Sequence, residues 1–94
     1  MASRFGAFSL QKGAIVYEDS VPGETGGGTS TWRAIPLGRV DSVEAGSLAT
    51  EVYPSRGRVV VQAGNVRLEV TQDGPGAGAE ARVFAEAVLE ALRG

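Results

Sequence analysis

Ninety-four residues give room for one hydrophobic core, because two cores of half that length would each bury too little surface to offset chain entropy. A composition that is 43% hydrophobic and 21% charged belongs to a folded chain and excludes a disordered one. With no cysteine, no histidine and a net charge of −2 from nine basic and eleven acidic residues scattered along the chain, three chemistries are excluded: disulfides, thiolate or imidazole chemistry, and a basic block that neutralises nucleic-acid phosphates.

Taken in chain order, residues 4–10 and 13–18 read as strands joined by a turn at Gln11-Lys12. The stretch from 21 to 30, Val-Pro-Gly-Glu-Thr-Gly-Gly-Gly-Thr-Ser, is of low complexity and reads as a mobile loop. Further strands are expected at 30–37, 43–48 and 50–53; Gly38-Arg39 opens one helical turn, and Ser55-Arg56-Gly57 turns the chain back. Residues 58–63 and 66–71 then form a hairpin, since Val66, Leu68 and Val70 alternate with Arg67, Glu69 and Thr71, and Gly64-Asn65 suits a tight connection.

Beyond a turn-rich linker at 73–78, residues 79–93 make an amphipathic helix in which Ala81, Phe84, Ala85, Val88, Leu89 and Leu92 recur at helical spacing. The expected fold is α+β, mainly β, within a single domain spanning 1–94. About seven antiparallel strands over 4–72 form a small barrel or sandwich capped by one C-terminal helix.

Few chemistries are open to such a chain. Without histidine or cysteine, catalysis would rest on carboxylates or Lys12, and the one adjacent acidic pair, Glu18-Asp19, would point to opposite faces of a strand. Neither zinc ligands nor a calcium loop is present, so no catalytic residue, metal site or cofactor is expected. The segment around Gly26, Gly27, Gly28 and Thr29 has the glycine amides and hydroxyl of an anion cradle. It lacks the lysine of a phosphate-binding loop and leads toward a strand, which favours a plain flexible loop.

Two features point to partners. Trp32 beside Arg33 either offers an exposed aromatic with a neighbouring cation, a combination enriched at interface hot spots, or fills one side of the core. On the helix, Val83, Ala87 and Ala91 form a weakly apolar strip beyond the charged arc of Arg82, Glu86, Glu90 and Arg93. It either reflects the helix propensity of alanine or packs against another chain.

The absence of cysteine fits a reducing compartment. No apolar run reaches the roughly 20 residues that span a bilayer, and Met1-Ala2-Ser3-Arg4 leads into a strand-like segment where a signal peptide would be apolar, so the chain reads as cytoplasmic. Eight of the nine basic residues are arginine, a bias typical of high-GC bacterial or phage genomes.

The order of about seven strands followed by one C-terminal helix resembles the pleckstrin-homology (PH) superfold, in particular its small bacterial PH-like members. Ile35-Pro36-Leu37-Gly38-Arg39-Val40-Asp41-Ser42-Val43-Glu44 is similar to the segment of such domains that runs from the third strand through a short turn into the fourth, and 58–92 is similar to their closing hairpin and capping helix. The resemblance implies a binding module without catalytic activity. Its phosphoinositide-binding members carry basic residues in an early inter-strand loop, whereas Glu18, Asp19 and Glu24 stand in the matching region. That departure disfavours membrane headgroups.

The expected function is therefore protein–protein interaction, with copies of the same chain among the candidate partners. The alternative is a small-ligand or lipid-headgroup site in the 18–31 loop, with Arg33, Lys12 or Arg56 meeting an anion.

Overall fold

The computed structural model describes residues 3–22, 28–48, 51–52 and 55–93. Its strands are β1 (Ser3–Phe5), β2 (Phe8–Gln11), β3 (Ala14–Pro22), β4 (Gly28–Pro36), β5 (Ser42–Leu48), β6 (Arg56–Ala63) and β7 (Val66–Asp73). A short 3-10 turn at Leu37–Arg39 separates β4 from β5, and one helix, α1 (Ala77–Arg93), follows β7. The first four strands form one antiparallel sheet in chain order and the last three a second, so among the described residues the architecture is mainly β with two open sheets and no closed barrel.

Among the described residues there are seven strands, but not the seven the periodicity predicts. The single strand expected over 4–10 is two, because Gly6-Ala7 reverses the chain and sets Phe5 opposite Phe8. Gly6 adopts φ of +56°, a conformation that a side chain would strain, and its amide donates to Oε1 of Gln72 at 2.9 Å, tying this corner to β7. Of the strand expected at 50–53, Glu51 and Val52 lie in a bend, while positions 50 and 53 fall outside the described residues. Gln11 belongs to β2, and the turn after it is Lys12-Gly13.

The helix begins at Ala77, two residues before the predicted start. Gly74-Pro75-Gly76 alone makes the turn, with the amide of Ala77 on the Gly74 carbonyl and that of Glu80 on the Gly76 carbonyl at 2.9 Å. Ala77 and Gly78 are buried, so the first helical turn is part of the packing and not of a linker. It is pressed onto β6 where Gly57 presents no side chain: a Cβ there would meet the carbonyl of Ala77.

Phe5, Phe8, Leu10, Ile15 and Ile35 from the first sheet, Val59 and Val61 from β6, and Ala81, Phe84 and Val88 from the helix make one core. Phe84 stacks on Phe8 with ring centroids 6.0 Å apart, and Phe8 meets Tyr17 edge to face at 6.4 Å, so a chain of three rings joins the helix to the four-stranded sheet.

Leu89 and Leu92, expected on the buried face, are 40% and 37% exposed. The core ends at Val88. Leu89 sits at the margin of the apolar arc, and Leu92 lies in a last turn that extends past the core residues beneath it.

Candidate protein interface

In the four-stranded sheet Phe8, Leu10, Ile15 and Ile35 point into the core, so the residues alternating with them must point outward. The strand register sets Arg4, Ser9, Val16 and Ala34 in one row across β1 to β4, and Trp32 follows Ala34 on the same face, opposite Glu18. Arg4, Ser9, Gln11, Val16 and Trp32 enclose a shallow hollow of about 540 Å³ on that outer face. Trp32 is 59% exposed. Its core-filling reading is thereby removed, and three phenylalanines and the aliphatic residues fill the core instead.

Arg33 does not share that surface. As the strand neighbour of Trp32 it projects to the other side, where its Nε donates to Oδ2 of Asp19 at 3.0 Å. The cation on the Trp32 face is Arg4, which sequence reasoning missed because only the β1–β2–β3–β4 register brings residues 4 and 32 together. Nothing local in the sequence could have supplied it, nor Gln11 and Val16.

Glu18 and Asp19 are split between the two faces of β3, as strand geometry requires. Glu18 accepts a hydrogen bond from the Ser30 hydroxyl at 2.5 Å, and Asp19 holds Arg33. Among the described residues no group of three or more acidic side chains converges on a metal-sized site.

The helical strip is uneven. Val83 is 60% exposed and Ala91 is exposed, whereas Ala87 is half-buried against the core. Ala91 lines a second hollow, of about 490 Å³, with Lys12 and Leu37; it shares Ser9 and Gln11 with the hollow beside Trp32.

Of the candidate ligand loop, Gly26 and Gly27 lie outside the described residues. Gly28 and Thr29 are part of β4, paired with Pro22 and Val21, so the ladder claims residues that composition assigned to a loop. Two of the three cations proposed for an anion are already engaged, Arg33 by Asp19 and Arg56 by Asp73. A further cleft of about 390 Å³ opens between Tyr17, Ile35 and Pro36 on one side and the β6–β7 turn on the other. There the Asp41 carboxylate accepts the Gly64 amide at 2.7 Å and so holds the turn.

Comparison with protein-family models, with curated proteins and with solved structures gives no match. No helix among the described residues is long and apolar enough to cross a membrane.

Proposed function

We propose that the chain is a non-catalytic, cytoplasmic binding module of PH-like architecture that docks a protein on the outer face of its four-stranded sheet, around Trp32. The observation that carries this reading is the indole itself, well exposed, outside the core and set beside Val16 and Arg4 over a shallow hollow. Tryptophan and arginine around a small apolar patch are the residues that dominate protein interfaces, because they bury much area for few rotatable bonds. The succession of a four-stranded sheet, a three-stranded sheet and a C-terminal helix supports the PH-like part of the proposal.

A photo-reactive benzoylphenylalanine placed at position 32 of the full chain, in cells of the native host, tests it. Position 67, exposed on β7 of the other sheet, serves as control. Light-dependent protein adducts are expected from position 32 and not from 67; no adduct at 32, or equal adducts at both, removes the proposal. Trp32→Ala should meanwhile leave stability within about 0.5 kcal/mol of the parent, as for other surface substitutions. A large loss in a denaturant titration would mean that the indole serves the fold.

A further inference from the structure

We infer that the cleft between the two sheets, beside the β6–β7 turn, is a site for a free apolar α-amino acid, with the ligand's carboxylate on Arg39 and its ammonium on Asp41. The site lies apart from the Trp32 face and does not depend on that reading.

The charges come first. Arg39 ends the 3-10 turn, is exposed and lines the cleft. Its guanidinium has no hydrogen bond or ion pair among the described residues, although Asp41, two positions on, lines the same cleft. Asp41 is anchored twice: its amide donates to the Gln62 carbonyl at 2.8 Å, and its Oδ2 accepts the Gly64 amide at 2.7 Å. Its Oδ1 has no partner among the described residues. One cavity therefore carries a free cation and a half-free carboxylate that do not pair with each other.

Both are presented from a braced segment. The Leu37 amide donates to the Gly13 carbonyl at 2.9 Å and the Val40 amide to the Leu37 carbonyl at 3.1 Å, which closes the turn that carries Arg39. Across the cleft, the side-chain amide of Gln62 donates to the Gly64 carbonyl at 2.7 Å and holds the β6–β7 turn. A site already ordered in this way loses little freedom when a ligand enters.

The rest of the lining is chiefly apolar, with Tyr17, Ile35, Pro36, Ala63 and Val66. Ile35 belongs to the core, Tyr17 is held edge-on against Phe8, and the ring of Pro36 fixes its backbone. Val66 is 49% exposed, a large apolar side chain left uncovered at the rim. The volume of about 390 Å³ falls within the range of about 300–1,000 Å³ typical of small-molecule sites.

This combination selects among ligands. A phosphate or a plain carboxylate would face Asp41 as well as Arg39, and a plain amine would face Arg39 as well as Asp41, so each meets one like charge. An α-amino acid carries both charges on one carbon and satisfies both residues at once. Its side chain then meets the apolar walls, which would desolvate a charged group without pairing it and so favour side chains such as those of leucine and phenylalanine.

Titration of the isotope-labelled full chain with L-leucine and with L-phenylalanine, followed by amide chemical shifts, tests this. The expected result is saturable shifts centred on Ile35, Arg39, Gly64 and Val66. N-acetyl-L-leucine, which lacks the ammonium, and L-leucinamide, which lacks the carboxylate, should each bind about tenfold more weakly or worse, the usual consequence of losing one charge-assisted hydrogen bond. Arg39→Gln and Asp41→Asn should weaken L-leucine to the same extent; the asparagine still offers an oxygen to the Gly64 amide. Should Asp41→Asn not fold, Arg39→Gln decides alone, since the exposed Arg39 side chain holds nothing else in place. Trp32→Ala should bind L-leucine like the parent.

Absence of saturable shifts with both amino acids overturns the inference. So does N-acetyl-L-leucine binding as tightly as L-leucine, or an Arg39→Gln chain that binds like the parent. Inorganic phosphate producing the same shifts as L-leucine would mark a bare anion site and overturn it as well. None of these results bears on the docking face, which is read from the position-32 adducts.

Discussion

Phe84→Ala is expected to be the most damaging single substitution in this chain, lowering stability by about 3–5 kcal/mol. The ring is fully buried, and it is the only aromatic side chain that α1 contributes to the core. Its loss removes the stacked contact with Phe8 and leaves a void between helix and sheet that neither neighbour can collapse into, because β2 and β3 hold Phe8 and Ile15 in register. Small domains have total stabilities of about 5–15 kcal/mol, so the variant should be largely unfolded in modest denaturant. A urea titration followed by far-UV circular dichroism measures it, with Leu92→Ala as the comparison. Leu92 is 37% exposed, beyond the end of the core, and its truncation should cost less than half as much. Equal losses for the two would mean that the helix packs in another rotation.

Gly57→Ala should also destabilise, by about 1–3 kcal/mol, although it adds a single methyl. The added carbon would run into the carbonyl and carbonyl carbon of Ala77 and press on the amide of Gly78, all main-chain atoms of the first helical turn. A flexible side chain could rotate away; this backbone cannot, because the Gly74 amide donates to Ser55 at 3.1 Å and the Ser55 hydroxyl returns a bond to the Gly74 carbonyl at 2.8 Å. Relief therefore requires the start of α1 to lift off β6. Gly46→Ala on β5 is the control, since a Cβ there meets nothing. For a domain of this size each kcal/mol corresponds to roughly 4–8 °C in Tm, so thermal unfolding resolves the pair. A Gly57→Ala protein that melts with the parent would show that the helix start is not seated on β6.

These two positions illustrate what the sequence could and could not reveal. Phe84 was legible because a helical period of apolar residues depends on neighbours three and four apart, and those are visible in the chain itself. The β6–β7 hairpin was legible for the same reason, with Gly64-Asn65 between two alternating runs. Gly57 was not, since its role is to be absent where a residue twenty positions later passes.

Among the described residues the seven strands differ from the predicted seven at two places. Phe5-Gly6-Ala7-Phe8 has the apolar content of one continuous strand, and only the reversal at Gly6 makes it two. The stretch at 50–53 looks like a strand in composition, yet Glu51 and Val52 form a bend. The exposed indole was anticipated as one of two readings, whereas its companions Arg4, Gln11 and Val16 depend on cross-strand register, which no local pattern encodes.

Past Tyr17 and Arg33 the β3–β4 hairpin leaves the rest of the sheet and continues as a ribbon of two strands, paired from Glu18↔Trp32 to Pro22↔Gly28. Glu18, Asp19, Gly28, Ser30, Thr31 and Trp32, the residues of that extension whose side chains are described, all lie outside the core. Its length is thus decoupled from the folding of the body: adding or deleting matched residue pairs there would change how far the arm reaches without altering what melts it. Selection could therefore retune the arm's span two residues at a time, keeping inside and outside faces in phase, while the remainder of the chain stayed as it is.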